Sequence, residues 1–177
     1  RNIPYKTIFI GQHRELYEDV KNLVPTPNYS LNIMKENQSL SDILERTSSG
    51  LSKLLLDEKP NLLIVQGDTA TVAICALMAF YQKIPLGHIE AGLRTYDLNS
   101  PYPEEGNRQI VSRIATYNWA PTILAEKQLK EEKVNNVILT GNTIVDACTR
   151  FRYPIKYNNQ ILITLHRREN FGNKMKK

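Results

Sequence analysis

The chain of 177 residues has only two cysteines and three histidines, so few of its side chains could hold a metal. Cys75 and Cys148 sit in separate apolar helical contexts without metal or redox spacing, and both are expected to be reduced core thiols. No Walker-type loop, Gly-x-Gly-x-x-Gly loop, zinc-spaced Cys/His set or Gly-x-Ser-x-Gly elbow occurs, which leaves metal and covalent-serine mechanisms without support. The longest apolar stretch, residues 72–81, is about half of the ~20 residues that a bilayer span requires, so a buried helix is expected there and no membrane partner. No charged-then-apolar leader with a small-residue cleavage site opens the sequence, and the expected location is cytoplasmic. A concentrated basic surface is missing too. The net charge is +5, but the lysines and arginines are scattered among 18 acids, and only Lys174, Lys176 and Lys177 crowd together. Nucleic acid is therefore not an expected partner.

What is present is ordinary globular material, 41% hydrophobic and 23% charged, of a length that suits one core. Short apolar runs alternate with segments of helical period, the pattern of a doubly wound parallel α/β sheet with helices on both faces. The runs predict strands at 7–10, 61–65, 85–89, 117–120, 137–139 and 161–164. Ser41 can cap a helix that buries Ile43, Leu44, Thr47, Leu51, Leu54 and Leu55 and ends at Pro60. Residues 70–81 form the most buried crossover, 126–133 a short charged outer helix, and Asn142 or Thr143 opens a helix running to about Phe151. A proline and a polar cluster place a domain junction near 152–160.

In such sheets ligands sit beyond the carboxyl ends of the strands, and polar residues gather there. The run at 61–65 leads to Gln66-Gly67-Asp68-Thr69, and the run at 85–89 leads to Glu90 and a long segment reaching Glu104, Glu105 and Gly106. Asp68, Glu90 and Glu104 are expected to converge on one rim, where neighbouring carboxylates raise one another's pKa and can serve as acid and base. A plainer alternative stays open, with Asp68 as a helix cap and Glu90 as the partner of Arg94. A helix opening at Asn107, with Arg108 in its first turn, could attract an anion. His88 lies within a predicted strand and reads as a core or rim histidine. His13 and His166 lie in polar loops, and His166 with Arg167 and Arg168 could contact phosphates.

Six motifs, at residues 11–15, 66–69, 88–95, 100–108, 139–143 and 165–172, together resemble the non-hydrolysing UDP-N-acetylglucosamine 2-epimerases in order and spacing. They read Gly-Gln-His-Arg-Glu, Gln-Gly-Asp-Thr, His-Ile-Glu-Ala-Gly-Leu-Arg-Thr, Ser-Pro-Tyr-Pro-Glu-Glu-Gly-Asn-Arg, Leu-Thr-Gly-Asn-Thr and Leu-His-Arg-Arg-Glu-Asn-Phe-Gly. The resemblance implies half of a GT-B-type fold of two Rossmann-like domains, with residues 1–152 in the first and 153–177 as linker and first strand of the second. It implies interconversion of UDP-N-acetylglucosamine and UDP-N-acetylmannosamine by elimination and re-addition of UDP, without a cofactor, in a homodimer. Asp68, Glu90, Glu104 and His166 match the family's catalytic positions, and Asp68, Glu90, His166 and Arg167 its substrate contacts. Gln12, His13 and Arg46 match an allosteric site for a second UDP-N-acetylglucosamine.

The sequence departs from the family in lacking the opening strand and its Gly-Thr-Arg-Pro-Glu-Ala-Ile-Lys loop, and in carrying Gln66 where most members have histidine. With most of the second domain also outside it, the 177-residue piece alone is expected to be inactive. Two competing readings are a hydrolysing relative that releases UDP and N-acetylmannosamine, and a non-catalytic nucleotide-sugar-binding relative.

Overall fold

The structure, a computed structural model, describes residues 3–11, 14–33, 35, 38–150 and 159–161. Its elements in chain order are β1 (Ile8–Phe9), α1 (Arg14–Val20), β2 (Tyr29–Ser30), α2 (Leu40–Glu58), β3 (Leu63–Gln66) and α3 (Ala70–Tyr81). They continue with β4 (Leu86–Ile89), α4 (Glu104–Ile114), β5 (Tyr117–Ala120), α5 (Ile123–Glu131), β6 (Val137–Leu139) and α6 (Thr143–Arg150). All strand pairs are parallel: β3, β4, β5 and β6 lie side by side in that order, and β1 pairs with β2 in a second, two-stranded sheet. The parallel α/β class expected from the alternating pattern is the one observed.

Why the chain adopts these elements is clearest in α2. Ser39, not Ser41, is its cap: the Ser39 hydroxyl accepts from Asp42 N–H while the Asp42 carboxylate accepts from Ser39 N–H. Such a reciprocal cap is worth about 1 kcal/mol. At the other end Lys59, with φ +45°, turns the chain out of the helix and sends its N–H back to Leu55 O, so Pro60 follows the cap. Ile43, Thr47, Leu51 and Leu55 are buried along one stripe, whereas Leu44 faces outward. Helix α3 is apolar on almost every side, and Ala73, Ile74, Cys75, Ala76 and Ala79 are all buried. It packs between α2 and α4, with Val65 and Leu86 of the sheet beneath it. Each large apolar side chain buried there contributes roughly 1.5–3 kcal/mol.

Alternation assigns the two faces of the four-stranded sheet. Leu63, Val65, Leu86, His88, Asn118, Ala120 and Val137 point to the helix-covered face, since successive residues of a strand face opposite ways. On the opposite face Ile64, Tyr117 and Ile138 are exposed among the described residues. Trp119 lies on that face too, 6.4 Å from Tyr117 and nearly parallel to it. Gly87 leaves room for its indole ring, which would be 2.5 Å from a Cβ at that position.

Several bounds differ from the sequence expectation. Strand β2 and helix α1 were not anticipated, β2 because two residues carry no readable period. Helix α5 starts at Ile123 because Thr122 accepts from Ala125 N–H, and it buries Ala125 and Leu129 rather than lying outside. Helix α4 begins three residues earlier than Asn107, at Glu104. Cys148 is exposed, not a core thiol, because α6 buries none of its residues. Cys75 is buried as expected, and burial pushes its thiol up to about 12. Of the strand expected at 161–164 only Ile161 is described, exposed and outside any strand. The expected junction at 152–160 lies outside the described residues apart from 159 and 160.

Gly92 has φ +93°, and a Cβ placed there would sit 2.4 Å from Ala125 O. The turn after β4 can therefore lie against α5 only with glycine at this position. Gly92→Ala is expected to lower stability by at least about 2 kcal/mol, read as a shifted urea midpoint with an unchanged slope.

Candidate functional site

Strand β3 ends in a turn whose backbone is held from two sides. Gly67, at φ +85°, donates its N–H to Ile89 O at 3.1 Å, and its own carbonyl receives His88 Nε2 at 2.8 Å. Thr69 is the cap of α3, its hydroxyl accepting from Val72 N–H. That removes the capping role from Asp68. Its carboxylate instead receives Arg108 Nε at 2.7 Å, and Asn107 Nδ2 donates to its carbonyl at 2.9 Å. The first turns of α4 are thereby tied to the end of β3.

Glu90 follows β4 directly, on the strand next to the one that ends before Asp68. It holds φ +68°, an uncommon conformation for a residue with a side chain. The ion pair considered for it does not form. The side chain of Arg94, fully buried, turns to Glu132 and donates through Nε at 2.7 Å to one carboxylate oxygen and through a terminal nitrogen at 2.9 Å to the other. The same terminal nitrogen donates to Ser112 Oγ at 3.1 Å. Among the described residues no hydrogen bond or ion pair engages the Glu90 carboxylate, which leaves it available to a ligand.

Two adjacent acids open α4, and they behave differently. Glu104 has a buried carboxylate oxygen, Oε2, without a hydrogen-bond partner among the described residues. An unpartnered buried oxygen is costly and marks a place where a ligand or a proton belongs. Glu105 is fully buried, yet every acceptor position is used. One oxygen takes Thr95 N–H and Arg108, each at 3.0 Å, and the other takes Tyr96 N–H at 3.2 Å and Gln109 Nε2 at 2.9 Å. Burial works against its ionisation, but the bonds from Gln109, the Thr95 and Tyr96 amides and Arg108 outweigh it and hold the carboxyl below its usual range. Sequence reasoning passed over Glu105 because the helix was started at Asn107; with the start at Glu104, the spacings to Arg108 and Gln109 are helical i,i+3 and i,i+4.

The expected convergence is therefore seen in part. Asp68 and Glu90 leave neighbouring strand ends, and Arg108 ties Asp68 to the first turn of α4, where Glu104 lies. Both proline bonds in the intervening segment, Ser100-Pro101 and Tyr102-Pro103, are cis. Gln12, His13, His166 and Arg167 lie outside the described residues. Arg46, the remaining residue matched to the allosteric site, donates to Ile33 O at 3.3 Å. A cavity of about 400 Å³ lined by Tyr96, Gln109, Ile110, Arg113 and Glu132 contains none of the three acids. Among the described residues no group of His, Cys, Asp and Glu is placed to hold a metal ion, and no helix is long and apolar enough to cross a membrane.

The sequence model of the family described as UDP-N-acetylglucosamine 2-epimerase matches residues 1–177. The UDP-N-acetylglucosamine 2-epimerase of Neisseria meningitidis serogroup A is 43% identical over 98% of this chain and 52% of the relative. That of Campylobacter jejuni is 40% identical over 97% of this chain and 51% of the relative. The chain thus spans about half the length of the curated relatives it matches. Among solved structures, the Neisseria meningitidis UDP-GlcNAc 2-epimerase bound to UDP-GlcNAc superposes with a TM-score of 0.79 at 45% identity, covering 84% of this chain and 41% of that one. The Methanocaldococcus jannaschii UDP-GlcNAc 2-epimerase in complex with UDP-GlcNAc and UDP gives 0.76 at 37% identity, over 85% and 42%.

His88 supplies a test of the site's electrostatics. It is fully buried, its Nδ1 has no partner among the described residues, and desolvation holds its pKa below the ordinary 6.5. The folded chain therefore refuses a proton that the unfolded chain accepts as pH falls through 6.5, and stability is lost from there down to the depressed folded pKa. The urea midpoint is expected to be lower at pH 5.5 than at pH 7.5, with His88→Asn showing a smaller difference. An equal difference in the variant would assign the effect to other groups.

Proposed function

The chain belongs to the UDP-N-acetylglucosamine 2-epimerase family, and from that premise we propose that the protein interconverts UDP-N-acetylglucosamine and UDP-N-acetylmannosamine. The observation that supports this most directly is the rim formed by Asp68, Glu90 and the first turn of α4. There, an Arg108-held carboxylate and a carboxylate without a partner among the described residues follow adjacent strands, and a buried acid oxygen likewise without one lies in the first turn of α4. Such a set offers carboxylates that can remove a proton and return one.

The reaction is balanced without an oxidant. One carboxylate takes the C2 proton, the C1–O bond to UDP breaks with its electron pair leaving on UDP, and the C1=C2 bond of 2-acetamidoglucal forms. Return of UDP to C1 and of a proton to the opposite face of C2 completes the inversion. Asp68, Glu90 and Glu104 carry the proton and the positive charge that develops at C1, while His166 and Arg167 contact the UDP phosphates. Residues 1–152 belong to one Rossmann-like domain of a GT-B-type pair and 153–177 lead into the second, with the nucleotide sugar between them. No redox cofactor is needed. The same reading makes the protein a cytoplasmic homodimer that supplies mannosamine-type units to a surface polysaccharide.

Incubated with UDP-N-acetylglucosamine in D₂O, the protein as its source makes it is expected to form UDP-N-acetylmannosamine carrying deuterium at C2, read by proton NMR. Free UDP with free N-acetylmannosamine would place it among hydrolysing relatives, and an unchanged spectrum would leave a non-catalytic binding protein. In the same assay Asp68→Asn, Glu90→Gln and Glu104→Gln should each lower turnover by about 10²-fold or more. Rates near wild type would remove the acids from proton transfer.

A further inference from the structure

We propose that Glu105 is a positioning residue for this chemistry: one buried carboxylate fixes Asp68 through Arg108 and at the same time clamps the turn at Thr95 and Tyr96. The inference rests on the epimerase reading for its activity readout and on geometry alone for its mechanism. A carboxylate at this depth is costly unless it is surrounded by donors, and an apolar side chain of similar volume would serve packing at less cost. Glu105 is surrounded by four donors, and their identities say what it is for. Two are backbone amides of the segment between Glu90 and α4, at Thr95 and at Tyr96, which stands at φ +59°. A third is Gln109 on its own helix. The fourth, Arg108, is shared: its Nε reaches Asp68 at 2.7 Å while a terminal nitrogen reaches Glu105 at 3.0 Å.

A guanidinium is planar and its donors are fixed relative to one another, so engaging it on one edge sets the direction of the other. Without Glu105, Arg108 could still meet Asp68 but could do so from many rotamers. The Asp68 carboxylate would then lose the orientation that proton transfer requires, and displacement by about 1 Å can cost as much as 10²-fold in rate. Glu105 touches neither substrate nor reacting atoms in this account. It acts through Arg108.

The test is a double-mutant cycle in the epimerase assay, with Glu105→Ala, Asp68→Asn and the pair. Glu105→Ala is expected to lower kcat by about 10- to 100-fold with KM within about threefold, and Glu105→Gln to recover part of the loss. In the Asp68→Asn background Glu105→Ala should slow the enzyme by no more than about twofold, since the group it positions is already disabled. Equal slowing in both backgrounds, or a change confined to KM, overturns the proposal. Should Glu105→Ala fail to fold, Arg108→Gln takes its place in the same cycle. The Arg108 Nε–H exchange rate, read by NMR on the protein as its source makes it, needs no activity. It should rise at least tenfold in Glu105→Ala while that of Arg94 stays constant. An unchanged Arg108 rate would sink the positioning role even if wild type proved not to be an epimerase, whereas an inactive wild type with a raised Arg108 rate would count against the epimerase reading alone.

Discussion

A carboxylate cut off from water has to be met by protein donors on every side, and the Glu105 side chain imposes that demand at the centre of the rim. It determines where α4 begins, how the segment after β4 folds back, and which way Arg108 faces. The Gly106 and Asn107 positions that follow would by propensity weaken a first helical turn by up to about 1 kcal/mol each. The bonds converging on Glu105, together with Asn107 to Asp68 O, more than offset that weakness. Local preference is overruled here by tertiary hydrogen bonding.

The sheet supplies the second constraint. Parallel pairing places successive strand ends at one edge, so residues 66–69 and 90–92 become neighbours although they are distant in sequence. Gly67, at positive φ, lets the chain leave β3 at once so that Asp68 follows without an intervening loop, and Glu90, itself at positive φ, follows β4 directly. Two arginine-centred clusters of ion pairs then brace the edge, Arg108 with Asp68 and Glu105, and Arg94 with Glu132. Both are shielded from solvent, and in each case removal of one partner would strand a charge in the interior.

Elements bounded by unmistakable punctuation were readable in advance. Strands β5 and β6 and helix α3 have the predicted limits, because polar turns flank short apolar runs and Thr69 precedes a long apolar one. The cap of α2 was misplaced by two residues, although Asp42 three positions after Ser39 is the pattern of a capping box. The partner of Arg94 could not be read, since Glu132 is 38 positions away and no periodicity links them. His88 was legible as a buried histidine from its place in a strand. The importance of Glu105 was not, because it depends on four donors from two separate stretches of chain. An acid–base role for Asp68, Glu90 and Glu104 was suggested by their places after strands, with the capping and pairing alternative open, and the assignment to catalysis came from resemblance to a family.

The chain has a single tryptophan, and its surroundings give it an unplanned use. The Trp119 indole lies against Gly87 and alongside Tyr117, and its carbonyl receives the N–H of Ala91, the residue after Glu90. Its emission therefore originates on the strand beside β4, from a ring that is neither fully immersed in solvent nor sealed from it. A movement of β4 that shifts Gly87 against the indole changes the polarity around that chromophore, so this stretch of chain carries a label-free optical gauge next to its own site.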